Sequence, residues 1–428
     1  MLLILTGILI SFLLIIFLIR KKFNFGLSLI SGALILGLFS LDRISFFDIF
    51  KAFSSAVIYS FENDTIVTET LELAILMTLI YMLAKIMQDS GAISHLIYTL
   101  RHIFSKGGTL AVIPAIYGLM PVPGGALFSA PVVKEEGDKF NIDKNKKNFL
   151  NVWFRHIWFP IYPLSSNIIV ITSVKFSNIE ITKLIEANLI SFASMILVGL
   201  VILRFTIKKE NGGEIPTKNE VSKKDYSGLK YLMPPIVPLF FGVFYMVTTL
   251  TLVQSFIIGI ATSIVLLFFL LEKTDKAKYV NLVKKAVTWK FALVIFGIMI
   301  FREIFEASEA NLAIFNILKD LPIPIFSILI ILPIILGLIS GYLLAGITLS
   351  YPLLVPFFPL TNLDIVGLTS LIFMGAFVGY LISPIHLCNV LSSDYLKTDT
   401  TRMYKTYIPS ATTILIIQII FLLFFYTA

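Results

Sequence analysis

Apolar residues in this chain fall into runs of bilayer length, separated by short loops that hold most of the charge. A hydrocarbon core about 30 Å thick needs about 20 consecutive, mostly apolar helical residues. A window of that length places spans at 2–19, 24–41, 66–88, 149–174 and 180–206 in the first half. In the second half it places spans at 231–249, 251–272, 288–305, 366–390 and 405–427. Stretches at 45–60, 92–105, 276–287 and 309–319 are too short or too charged to cross and read as amphipathic interfacial helices. Residues 207–229 form the one long polar stretch and separate the halves.

Two further apolar segments, 109–133 and 323–357, are broken in the middle. Gly118 to Val133 reads GLMPVPGGALFSAPVV, and Gly337 to Leu354 reads GLISGYLLAGITLSYPLL. Proline removes a backbone donor and glycine weakens a helix, so neither is expected to run as one continuous transmembrane helix. Loose backbone survives in a bilayer only where protein or a water-filled cavity satisfies it. Arms over 109–120 and 124–133 would be roughly 18 Å and 15 Å long at 1.5 Å per residue, about half the hydrocarbon core. The turn of the second segment is placed within 340–346.

Lysine and arginine placement converts these breaks into a topology. If each broken segment enters and leaves on one side, the loops at 20–22, 134–147, 207–230, 273–290 and 397–405 share a face. That face collects Arg20, Lys21, Lys22, Lys134, Lys139, Lys144, Lys146 and Lys147; the other keeps Arg43, Lys51, Lys175, Lys183 and Lys319. The basic face is expected to be cytoplasmic, with both termini outside. The halves also align in order. Lys85 and Asp89 match Arg302 and Glu306 at an offset of 217, Gly118 matches Gly337 at 219, and Pro131 and Pro163 match Pro352 and Pro384 at 221. The expected fold is an all-α polytopic membrane protein built as an inverted repeat, each copy holding five spans, one re-entrant hairpin and a broken helix. Residues 1–206 and 230–428 are the copies and 207–229 a cytoplasmic linker.

Composition agrees and narrows the function classes. The 428 residues are 57% hydrophobic and 14% charged, more apolar surface than a soluble domain hides. The net charge of +8 lies in short loops between spans and does not point to nucleic acid. The single cysteine, Cys388, excludes an intramolecular disulfide and a metal cluster built from cysteines. The first apolar run has no basic region before it and Arg20-Lys21-Lys22 after it, which reads as an uncleaved span. The chain has no HExxH, P-loop or GxSxG elbow, and no enzymatic activity is expected.

Candidate chemistry gathers at the breaks. The span after each broken segment is itself interrupted, at Arg155-His156-Ile157-Trp158-Phe159-Pro160-Ile161-Tyr162-Pro163 and at Ser383-Pro384-Ile385-His386-Leu387-Cys388-Asn389. Half-helix N-termini suit an anion, whereas freed carbonyls with Ser and Asn oxygens suit Na⁺. Candidate substrate ligands are Pro121, Pro123, Gly124, Gly125 and Ser129 in the first hairpin, and Ser340, Gly341, Gly346 and Thr348 in the second. Arg155, His156, Ser383, His386 and Asn389 come from the broken spans, and Ser165, Ser166 and Asn167 are candidates for Na⁺. Each has a plain structural alternative. Prolines kink membrane helices, Arg155 could snorkel to headgroups, and His386 could be a packed, hydrogen-bonded core residue. Lys85/Asp89 and Arg302/Glu306, spaced i, i+4, read as helix-end ion pairs. Glu72 is the best placed carboxylate for proton coupling.

The stretches MPVPGGALFSAPVV, FRHIWFPIYP and LISPIHLC resemble an integral-membrane family of archaea and thermophilic bacteria, the domain-of-unknown-function family 401. The resemblance implies the ion transporter superfamily, alongside gluconate permeases and divalent-anion/sodium symporters. It further implies a scaffold and a transport domain whose hairpin tips and broken helices form the site, often in a homodimer working as an elevator. Sodium-symporter relatives carry Ser-Asn-Thr at both tips, where this chain has Pro121-Val122-Pro123-Gly124-Gly125 and Ser340 to Thr348. The expected function is secondary active transport of a small organic anion (a carboxylate) across the cytoplasmic membrane, coupled to Na⁺ or H⁺, with no other cofactor. An inorganic-anion or cation/proton exchanger on the same fold, and a membrane-embedded hydrolase using Ser383 and His386, are the alternatives.

Overall fold

The computed structural model describes residues 2–61, 64–104, 107–119, 125–210, 225–320 and 322–427. In chain order the helices are α1 (Leu2–Arg20), α2 (Phe25–Phe39), α3 (Phe46–Val57), α4 (Glu69–Asp89), α5 (Ala92–Ile103), α6 (Thr109–Gly118), α7 (Ala126–Asp138), α8 (Lys144–Arg155), α9 (Ser166–Thr172) and α10 (Ile181–Glu210). They continue as α11 (Met233–Phe244), α12 (Leu252–Leu270), α13 (Lys273–Ala286), α14 (Lys290–Ala307), α15 (Ala310–Leu318), α16 (Ile325–Ser340), α17 (Leu343–Leu354), α18 (Ile365–Leu381), α19 (Leu387–Leu396) and α20 (Thr400–Phe425). A two-stranded ribbon, β1 (Tyr59–Ser60) with β2 (Thr65–Ile66), sits between α3 and α4. Among the described residues six helices are long and apolar enough to cross a membrane: Leu2–Arg20, Glu69–Asp89, Ile181–Lys208, Leu252–Leu270, Leu343–Leu360 and Arg402–Phe425. The protein is a multi-span helical membrane protein.

Local chemistry sets the helix ends. The Ser45 hydroxyl accepts from the Asp48 N–H at the start of α3 while the Asp48 carboxylate accepts from the Ser45 N–H, and Thr251 with Gln254 does the same for α12. Asp364 caps α18 through the Gly367 N–H at 2.7 Å. Several hydropathy boundaries move for reasons of this kind. The span expected at 149–174 begins at Lys144, because the Asp143 carboxylate accepts from the Asn145 N–H at 2.8 Å, and it stops at Arg155 before Pro160 and Pro163. The span expected at 366–390 is interrupted between Leu381 and Leu387 around Pro384, and its second part runs on to Leu396. The last span starts at Thr400 rather than 405, and α10 carries on to Glu210, past the expected linker boundary; residues 211–224 of that linker lie outside the described residues. Residues 231–249 yield only α11, which opens on two prolines and gives way to a 3₁₀ turn over Tyr245–Val247.

Among the described residues ten α-helices precede the linker and ten follow it. Contacts between the halves are reciprocal. Helix α2 packs on α14 and α4 on α12; α3 packs on α14 and α13 on α4. Likewise α7 packs on α19 and α17 on α9, α8 on α20 and α18 on α10. Glycines permit the closest of these approaches. A Cβ on Gly26 would lie 1.8 Å from the Leu293 carbonyl oxygen, and one on Gly297 would lie 2.3 Å from that of Gly26. Each broken apolar segment folds back on itself, α6 against α7 and α16 against α17. The second turn is at Gly341-Tyr342, where Gly341 has φ +62°, a left-handed conformation that glycine adopts without a Cβ clash.

Candidate functional site

A cavity of about 510 Å³ opens where the helix ends meet. Gly118 and Leu119 at the end of α6 reach it, as do Gly341, Tyr342 and Leu343 at the turn between α16 and α17. Arg155, Phe159, Tyr162 and Leu164 to Asn167 line it from the break between α8 and α9. Tyr380, His386, Leu387 and Cys388 do so from the break between α18 and α19. Lys22, Phe23, Met77, Ile80, Tyr81 and Phe291 complete the wall from α4, α14 and the turn after α1. The breaks keep their own backbone partly satisfied. The Ser383 hydroxyl donates to the Leu338 carbonyl at 2.6 Å, and Trp158 Nε1 donates to the Ala115 carbonyl at 3.0 Å, so each break is tied to its preceding hairpin.

Arg155 is 3% exposed and donates from Nη1 to the Tyr117 carbonyl at 2.6 Å. A Cβ on Gly125 would sit 2.2 Å from Arg155 Nη2, so glycine there makes room for the guanidinium. The same side chain borders a second cavity of about 250 Å³, with Gln88, Asp89, Ile93, Ser94, Tyr117 and Phe128. Arg155 therefore stands between two cavities. Because α8 starts at Lys144, it lies eleven residues into its helix, about 16 Å along the axis, and deeper than a span beginning at 149 would put it. Snorkelling is excluded by its bond to the hairpin and its burial.

His156 and His386 face each other with ring centroids 4.8 Å apart. His156 Nδ1 lies 2.6 Å from the Val152 carbonyl, which can only accept, so that nitrogen carries a proton; Nε2 meets the Tyr380 hydroxyl at 3.1 Å. His386 is fully buried, and neither of its ring nitrogens makes a hydrogen bond of normal geometry, the Leu381 backbone being a polar group close to the ring. Its ring lies 4.0 Å from that of Tyr380. Asn167 Nδ2 donates to Ser165 Oγ at 3.0 Å.

The candidates from sequence thus divide. Arg155, Gly341, His386, Ser165, Ser166 and Asn167 line the cavity, His156 borders it through Tyr380 and His386, and Gly125 backs Arg155. Pro121, Pro123 and Gly124 lie outside the described residues. The remaining candidates hold the fold around the cavity. Ser129 donates to Asn151 Oδ1, Asn389 Oδ1 accepts from Asn148 Nδ2 at 3.2 Å, and Ser340 and Thr348 bond within their own helices to Leu336 and Leu344. Gly346 packs against the backbone of Gly337. Tyr162, Tyr342 and Tyr380 were not singled out in sequence, although each sits within or beside a broken motif. Met77, Ile80 and Tyr81 carry the i, i+3, i+4 spacing of any buried face, which marks no site. Glu72 accepts from Gln254 Nε2 at 2.8 Å, and the Lys85–Asp89 and Arg302–Glu306 pairs close at 2.8 Å and 2.7 Å.

The sequence profile of the family described as "Protein of unknown function (DUF401)" matches residues 3–424, and the chain belongs to that family. No curated protein matches it.

Proposed function

We propose that this DUF401-family membrane protein is a secondary active transporter of a small organic anion, a carboxylate, driven by a Na⁺ or H⁺ gradient. The observation that carries this reading is the cavity wall: both hairpin ends and both broken spans converge on one space that Arg155 faces. Ionisable residues inside a membrane are by default functional, and a guanidinium matches a carboxylate in a bidentate fork. A volume of about 510 Å³ is larger than an inorganic anion requires, which favours an organic one. Ser165 and Asn167, at the start of α9, are the neutral oxygens that would serve Na⁺. Ser383 donates to a backbone carbonyl and not to His386, which weighs against the hydrolase.

The inverted repeat belongs to the same reading. Equal helix numbers, reciprocal packing and the offset of 221 that relates Ser165, N-cap of α9, to His386, N-cap of α19, all support two copies. The outgoing arm of the second hairpin, Leu343–Leu360, is long enough to cross, so the lysine distribution and not length supports re-entry there. A homodimer whose hairpin-bearing part moves against α1 to α5 and α11 to α15 completes the scheme. Uptake of a panel of labelled carboxylates into proteoliposomes, with and without imposed Na⁺ and H⁺ gradients, tests it. Uptake that ignores both gradients, or that is confined to inorganic anions, would refute the symport reading.

A further inference from the structure

Among the described residues three metal-ligating side chains meet at the cavity wall. One ligand atom each from His156, His386 and Cys388 lies within 4.8 Å of the others, and all three residues are buried. They come from both breaks: His156 directly follows α8, while His386 and Cys388 open α19. A buried imidazole without well-formed hydrogen bonds is costly unless something binds it, and His386 is such a ring, placed against the cavity. His156 has the orientation typical of a ligating histidine, with Nδ1–H held by a backbone carbonyl and Nε2 turned inward. Its Nε2 meets only the Tyr380 hydroxyl, a bond that rotation of that phenol releases.

We propose that His156, His386 and Cys388 form a binding site for a borderline divalent metal ion of the zinc class, with one coordination position left open to the cavity. Imidazole and thiolate are the ligands this class prefers, and three protein ligands with an open fourth position is the arrangement of a site that exchanges a ligand. Tetrahedral bonds of about 2.0–2.3 Å put ligand atoms about 3.3–3.8 Å apart, so the set needs to contract by about 1 Å. That contraction would take a rotation of the His386 ring, which packs with its centroid 4.0 Å from that of Tyr380. Arg155 is a charged group on the same cavity, and its guanidinium is turned to the Tyr117 carbonyl; the Cys388 thiolate offsets one charge of the ion. The site does not depend on what the cavity carries.

The test uses the untagged full chain in detergent, titrated with Co²⁺ as a spectroscopic substitute for Zn²⁺. One equivalent is expected to bind with intense thiolate-to-cobalt charge-transfer absorption and four-coordinate visible bands. Cys388→Ser should abolish the charge-transfer band. His386→Gln should weaken Zn²⁺ binding by at least about tenfold, given that outer-shell changes alone cost about 10- to 100-fold. Because Cys388 is the only cysteine, its alkylation by a maleimide reads out occupancy in the unmodified protein, and Zn²⁺ should slow it. Tyr380→Phe should leave Zn²⁺ affinity unchanged or raise it. Cobalt bound without a sulfur band, or maleimide labelling indifferent to Zn²⁺, overturns the site without bearing on transport.

Discussion

Gly118 lies directly on the main chain of Arg155: a Cβ built on it would be 2.0 Å from the Arg155 carbonyl oxygen. The second half repeats the contact, for a Cβ on Gly337 would be 2.3 Å from the carbonyl oxygen of Ala376. Gly118 and Gly337 are 219 residues apart, and Arg155 and Ala376 are 221 apart. One packing solution, hairpin helix onto broken span, is thus used twice, and only the contact in the first half has a cation at it.

Gly118→Ala and Gly337→Ala should each destabilise the protein, because backbone must move and cannot give way as a flexible side chain would. Overpacking of this kind costs about 1–3 kcal/mol. Gly37→Ala, where the nearest atom is the end of the Ile49 side chain at 3.2 Å, should cost less. Thermal unfolding in detergent compares the three. Equal losses at all three positions would show that the close approach is not the cause.

Gly125→Ala places a methyl group where the Arg155 guanidinium lies. A flexible side chain can shift, so folding should survive while the cation leaves its position. If Arg155 holds the carboxylate, the apparent KM for uptake should rise about tenfold or more, equivalent to about 1.4 kcal/mol, with the unfolding temperature nearly unchanged. Unaltered uptake would remove Arg155 from the binding role.

Asn151 ties three helices together: Nδ2 donates to the Ala126 carbonyl at 2.9 Å and to Ser392 Oγ at 2.8 Å, and Oδ1 accepts from Ser129. Asn151→Ala leaves these buried groups short of partners, at a cost of about 1–3 kcal/mol. Ser410→Ala removes only a bond to the Thr406 carbonyl within α20 and should be nearly silent. A silent Asn151→Ala would mean that α7, α8 and α19 are not held as a unit by this side chain.

Cysteines introduced singly into a Cys388→Ser background report the topology. Lys144 and Lys285 should label only from the cytoplasm, and Arg43 and Lys319 only from outside. Opposite labelling of Lys144 and Lys285 would break the shared basic face, and labelling of Arg43 and Lys144 from one side would break the re-entrant reading of 109–133, which lies between them with one span.

Much of this fold is readable from periodicity and punctuation. Apolar length marks α1, α4, α10, α12 and α20, and the Pro-Gly clusters mark both broken segments and both broken spans. The start of α8 is not readable in this way. Asn145, Lys147 and Asn148 look like loop residues, yet all three are buried in a helix. Their partners are Asp399, Asp138 and Asn389, and two of the three lie more than 240 residues away. Hydropathy assigns a polar residue to water; only a folded neighbour can supply an alternative.

The same division holds at the cavity. Residue types and breaks in the chain single out Arg155, His156, His386 and Ser165 to Asn167, because a charge, an imidazole or a proline inside an apolar run conflicts with lipid wherever the run packs. Whether such a residue faces a ligand or a neighbouring helix is a matter of distance between segments remote in sequence. Ser129, Asn389 and Thr348 share the composition of a binding residue and are consumed by helix packing, whereas Tyr380 and Tyr342 look ordinary and line the space. Sequence by itself determined that this chain must live in a bilayer and where its helices must break. Tertiary structure alone decided which of the exposed ends meet, since that depends on contacts across the two halves that no local pattern encodes.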